Sequence, residues 1–139
     1  MVHSFVTGGS MMIRHWTTFN GKPNRSFKDK IRVTLNWKNS LMLNRTAFES
    51  LGRPAAVELL FDQTYGMIGV KPVRPDAHNA FPVKPVLKGS YRRVNLAPFC
   101  LHFDLRIEKT VLFLEPYVDP DGVLILNLAK TMLVTRGSR

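Results

Sequence analysis

The segment IRVTLNWKNSLMLNRTAFESLGRPAAVELLFDQTYGMIGVKPV, residues 31–73, decides the fold. In it Ile31, Val33, Leu35 and Trp37 alternate with Arg32, Thr34, Asn36 and Lys38, which predicts a half-buried strand with one polar face. Lys38, Asn39 and Ser40 predict a turn, and Leu41, Met42 and Leu43 a short second strand. Asn44 then suits the N-cap of a helix over 45–51, because its side chain can accept from an N–H that has no partner within the helix. Phe48 and Leu51, three apart beside Ala47, give that helix an apolar side, while Gly52 stops it and Pro54 prevents continuation. Val57, Leu59 and Phe61 alternate with Glu58, Leu60 and Asp62 to predict another strand; residues 63–66 turn, and 67–70 return as a hairpin partner.

Working outward, residues 1–30 read as a flexible basic arm. Arg14, Lys22, Arg25, Lys28 and Lys30 are opposed by Asp29 alone, and His15, Trp16, Phe19 and Phe27 lie among them. Such an arm suits nucleic acid by charge and stacking, or it is a solvated tail whose aromatics fold back on the domain. On the other side, Pro72, Pro75, Pro82 and Pro85 break up residues 74–90, which predicts a connector, because proline removes a ladder donor and fixes its own backbone angle. A second β-rich half spans 91–129. It contains a strand over 91–95, a short helix over 97–103, strands over 104–107 and 110–114, a turn at Asp119, Pro120, Asp121 and Gly122, and a last strand over 123–128. Residues 130–139 read as a frayed tail.

The chain has 139 residues, with 20 Lys and Arg against 10 Asp and Glu, for a formal charge of +10. The apolar share of 45% is enough for one packed core and argues against global disorder. A lone cysteine, Cys100, excludes an internal disulfide and a thiolate zinc cluster. No run approaches the roughly 18 apolar residues of a transmembrane helix, and the first residues lack the pattern of a secretory signal, so a cytoplasmic protein is expected.

The run from Ser40 to Val73 resembles the swapped-hairpin module of the AbrB/MazE/SpoVT family of transcription factors and antitoxins. The resemblance rests on Leu41, Leu43, Ala47, Phe48, Leu51, Gly52, Val57, Leu59, Ile68, Val70, Lys71 and Pro72, with residues 31–37 as the module's first strand. It implies an α+β, mainly β fold, a swapped-hairpin, β-barrel-like module with one or two short helices, working as a homodimer that binds DNA. The second half repeats the pattern loosely through Pro98, Phe99, Phe103, Val111, Phe113, Asp121, Gly122, Val123 and Ile125, so that a degenerate duplication of the MraZ type is one reading and two unrelated β-rich halves the other. The Asp and Arg motif characteristic of MraZ is not in this chain.

The charge pattern points the same way, since neutralising phosphates with release of counterions supplies most of the affinity of basic proteins for DNA. Arg32 and Lys38 on the polar face of the first strand suit phosphate or base contacts, and Asn36 suits an adenine edge. Arg45 and Arg53 flank the helix, and Arg92 and Arg93, with Tyr91 beside them and Lys84 and Lys88 upstream, form a second basic cluster that would widen the footprint or bind RNA. The resemblance adds Lys28 and Lys30. The candidate nucleic-acid residues are therefore Lys28, Lys30, Arg32, Asn36, Lys38, Arg45, Arg53, Arg92 and Arg93, each of which reads equally as part of a solvated surface.

Enzyme chemistry, a metal and a cofactor are not expected. His3, His15, His78 and His102 are scattered, and Cys100 sits between Phe99 and Leu101 in an apolar segment that suits an inert buried thiol. Asp119 and Asp121 are too few oxygens for calcium. The reading from another class is an interaction protein, one subunit of an assembly, whose basic arm and exposed strand edge bind a protein partner.

Overall fold

A computed structural model describes residues 16–17 and 30–134. The expected basic arm, including Lys28, lies largely outside the described residues; Trp16, within them, is exposed. The first predicted strand is shorter than its alternation. β1 (Val33–Leu35) ends before Asn36, and β2 (Ser40–Asn44) returns antiparallel to it, with Thr34 opposite Met42. Between them Asn36 accepts the Asn39 N–H on its carbonyl at 2.8 Å, and Asn39 takes φ 62°. This is a type I turn closed by a left-handed residue, a common hairpin connection in which asparagine tolerates the positive φ. Trp37, expected in the buried row, is carried onto this turn and is 60% exposed.

Asn44 does what a cap residue must. Its Oδ1 accepts from the Ala47 N–H at 2.9 Å and starts α1 (Arg45–Ser50). The same oxygen accepts from the Arg32 N–H at 3.0 Å, and its Nδ2 donates to the Lys30 carbonyl at 2.7 Å. One buried amide thus ties the entry to β1 to the start of the helix. Gly52 at φ 84° and Arg53 at φ 56° reverse the chain into β3 (Ala56–Asp62), which pairs with β4 (Met67–Val73) around a turn where Asp62 accepts from the N–H groups of Thr64 and Tyr65.

The expected connector carries structure of its own. β5 (Phe81–Pro82) joins the outer edge of β3, and β6 (Lys84–Val86) pairs with β7 (Tyr91–Asn95). Their turn holds Leu87 at φ 50°, Lys88 at φ 58° and Gly89 at φ 86°, three left-handed residues in succession. Only glycine adopts that region without a Cβ penalty. Lys88→Gly is therefore expected to raise stability in urea unfolding by up to about 1 kcal/mol; a loss would show that the Lys88 side chain outweighs its backbone strain.

After β7 come α2 (Ala97–His102), β8 (Val111–Phe113), β9 (Tyr117–Val118), β10 (Leu124–Asn127) and β11 (Thr131–Leu133). The strand expected over 104–107 does not form: Asp104 turns at φ 54° and Leu105 donates back to the Cys100 carbonyl at 2.8 Å, which takes the segment out of any ladder. The stretch expected to fray contributes β11 instead.

The strands make two antiparallel sheets, in the orders β11-β8-β1-β2-β7-β6 and β5-β3-β4-β10-β9. Neither closes into a barrel. Their inner faces meet in one core, with Val33, Leu35, Leu41, Leu43 and Val94 from the first sheet, and Val57, Ile68, Val70, Leu124 and Leu126 from the second, all fully buried. Burial of this kind contributes about 1.5–3 kcal/mol for each large aliphatic side chain. Phe99 meets Phe61 of β3 edge-on at 5.8 Å, and Phe103 packs on the same ring at 4.8 Å, tilted by 52°.

One unit recurs. A hairpin (β1–β2), a helix (α1) and a hairpin (β3–β4) are followed by a hairpin (β6–β7), a helix (α2) and a hairpin (β9–β10). Each sheet receives one hairpin from each unit, and the units meet at β2–β7 in one sheet and β4–β10 in the other. Local signals repeat too: Asn44 and Asn95 each accept an N–H at a helix start, and Asp62 and Asp119 each accept two N–H groups in a turn that ends in glycine. The strand over 110–114, matched above to the first unit's hairpin, belongs elsewhere. β8 and β11 are additions outside β1, so β1 is an interior strand and not an exposed edge.

Candidate nucleic-acid interface

Side chains of directly opposed residues lie on one face of a sheet. A single row therefore crosses all six strands on the face turned away from the core: Lys84, Arg93, Met42, Thr34, Leu112 and Met132. Lys84 and Arg93 are exposed at one end, and Met132 at the other. None of these six strands contains an aspartate or glutamate. The acids sit elsewhere: Glu58 and Asp62 in β3 of the other sheet, and Glu49, Asp76, Asp104 and Glu115 in ion pairs with Arg53, Arg74, Arg106 and Lys130. Cations on strands that themselves carry no acid raise the local positive potential more than the same cations interspersed with acids would.

The residues singled out in the sequence divide into groups. Arg93 is on the open face. Arg32 leads into β1, two strands from Arg93, and is half-buried, and Lys30 is exposed just before. Lys38 is exposed on the β1–β2 turn, its Nζ 5.1 Å above the Trp37 ring. Arg45 is exposed at the start of α1, and Arg53, across α1, is held by Glu49 at 3.0 Å, which offsets its charge. Two assignments change. Asn36 Oδ1 accepts from the N–H groups of Lys38 and Ser40 at 2.9 and 3.0 Å, so it builds the turn and is not open for the paired contact that reading adenine requires. Arg92 points the other way from Arg93. Its guanidinium lies 4.2 Å over the Phe48 ring and donates to the Gly89 carbonyl at 2.8 Å, which anchors α1 and the β6–β7 turn. Lys84, read as part of a connector, is the residue whose place sequence reasoning missed. Its register with Arg93 is visible only once Pro85 is seen to lie on an edge strand, where the missing N–H costs nothing.

His78 and His102 are exposed, and among the described residues no three His, Cys, Asp or Glu side chains gather as metal ligands. A shallow groove of about 370 Å³ runs between Trp37 and the 104–108 segment, lined by Leu101, Leu105 and Ile107 with the Arg106 and Glu108 charges at its rim. Cys100 touches its floor but is buried, and burial pushes its thiol above the ordinary range. Because the native pKa exceeds the unfolded one, this site's contribution to stability is complete below the ordinary thiol pKa and is lost as the pH rises through the native value. A thiol reagent at about pH 8 is expected to leave native Cys100 unmodified and to label it fully in denaturant; fast native labelling would show the segment to be open.

No protein-family model and no curated protein matches the sequence, and no solved structure matches the fold. None of the described helices is long and apolar enough to cross a membrane.

Proposed function

We propose that this chain is a non-enzymatic nucleic-acid-binding protein, a cytoplasmic DNA-binding regulator of the swapped-hairpin kind, and that the open face of the six-stranded sheet is its binding surface. The observation that carries this reading is the sheet whose strands hold no acid, on which Lys84 and Arg93 stand side by side, with Lys30 and Arg32 leading into β1 and Lys38 on the β1–β2 turn. Phosphates neutralise these cations and release counterions, which gives affinity; Thr34 and Met42 at the centre of the row are the groups able to touch bases or sugars. In the family that residues 40–73 resemble, two copies of the module interleave to complete a core. On this reading the second unit of the same chain would stand in for part of that complement, a reading supported by the core that Val94, Leu124 and Leu126 share with Leu41, Leu43, Ile68 and Val70. The homodimer that the resemblance implies remains part of the proposal.

Fluorescence anisotropy of the full chain with a labelled duplex tests this. Binding should be micromolar or tighter at about 50 mM salt and fall at least tenfold by about 200 mM. Absence of binding at the lower salt ends the proposal and leaves the interaction-protein reading, which exposed apolar side chains at the opposite end of the same sheet favour.

A further inference from the structure

Sheets have edges, and edges with free N–H and C=O groups recruit other strands unless something blocks them. Two edge strands here carry proline, Pro82 in β5 and Pro85 in β6. A third, β9, is two residues long and lies between Pro116 and Pro120. The fourth, β11, has neither proline nor charge: it reads Thr131, Met132, Leu133. Its bonds to β8 go through Lys130, whose carbonyl accepts from Leu114 at 2.9 Å, and Val134, whose N–H donates to Thr110 at 3.0 Å. In an antiparallel ladder alternate residues bond to alternate sides, so the N–H and C=O groups of Thr131 and Leu133 face outward. No described strand pairs with them. Three large apolar side chains at this edge are half exposed: Met132 and Leu133 of β11, and Leu114, whose N–H donates to the Lys130 carbonyl.

We infer that β11 is a self-association edge, and that its partner is β11 of a second copy, paired antiparallel about a two-fold axis with Met132 opposite Met132. Three features select a second copy. The edge is self-complementary in this register, because Thr131 and Leu133 of one chain exchange both backbone bonds with Leu133 and Thr131 of the other. It is uncharged, and the neighbouring Lys130 is paired with Glu115 at 3.0 Å, so no unpaired charge on β11 or Lys130 opposes the approach of two chains that each carry +10. Pairing also extends the open face without interruption, the row ending in Met132 continuing into the partner's row. A pairing of three residues a side buries less than the roughly 800 Å² per partner of a standard interface, so the dimer is expected to be weak and reversible. Neither the axis nor the contact depends on nucleic acid, so this inference stands or falls apart from the proposed function.

Sedimentation equilibrium of the full chain, freed of nucleic acid, is the test. A monomer–dimer equilibrium with a micromolar dissociation constant is expected, tightening as salt screens the like charges. Met132→Lys sets two ammonium groups opposite each other at the axis, and Leu133→Pro removes an outward donor while sparing the ladder to β8. Each should weaken the dimer at least tenfold with unchanged circular dichroism; if the proline variant fails to fold, the exposed Met132→Lys variant still decides. A wild-type chain that stays monomeric at about 1 mM, or a Met132→Lys variant that dimerises as tightly as the wild type, overturns the inference.

Discussion

Asn44→Ala is expected to lower the stability of the fold by about 3 kcal/mol, a drop of about 10 °C in Tm. Loss of a helix N-cap by itself costs about 0.5–2 kcal/mol. Here the same side chain also satisfies the Arg32 N–H and the Lys30 carbonyl, at 3.0 and 2.7 Å, and it is 7% exposed, so water does not freely replace it. Asn44→Asp keeps the accepting oxygen and loses only the bond to Lys30, and should fall between alanine and the wild type. The measurement is urea unfolding of the three proteins, with amide exchange at Arg32 and Ala47 as the local readout. An alanine variant within about 0.5 kcal/mol of the wild type would show that these bonds are replaced after the substitution.

Reversing the charge at both cationic ends of the row, Lys84→Glu with Arg93→Glu, is expected to weaken duplex binding on the order of 100-fold at low salt and to lower the salt slope by about two. Both side chains are exposed and outside the core, so the fold should be unaffected. The control carries the same change in net charge: Lys71→Glu with Arg74→Glu alters exposed residues at the end of β4, on the other sheet. If the control weakens binding as much, overall charge and not the open sheet face is responsible, and the assignment of the surface is wrong.

The two predictions draw on different levels of the structure. The capping role of Asn44 was legible in the sequence, since an asparagine before a short helix with glycine after it suits an N-cap, and the Asp and Gly turn pairs at 62–66 and 119–122 are equally local, whereas the bonds of Asn44 to Arg32 and Lys30 were not. Alternation likewise placed Val33, Leu35 and Val57. It failed at Trp37, because the chain turns one residue after Leu35 and the period has no means of showing where a strand stops. Residues 104–107 alternate as a strand would and form none, since Leu105 donates to Cys100 and the segment finds no partner.

The site was legible in composition and not in place. An excess of basic residues is additive along a chain, so the sequence by itself determined that the protein is strongly cationic, mainly β, and built on hairpins with short capped helices. Which cations share a surface depends on pairing between strands far apart in sequence. Arg92 and Arg93 are adjacent and point to opposite sides, whereas Lys84, Arg93, Met42, Thr34, Leu112 and Met132 span nearly the whole described chain and share one face. Strands of two or three residues, such as β5, β9 and β11, carry too little pattern to be read alone and exist only because a partner strand completes their hydrogen bonds. The tertiary structure therefore decided the open face, the unblocked edge and the internal pairing of two units, all of which rest on contacts that no local window of sequence contains.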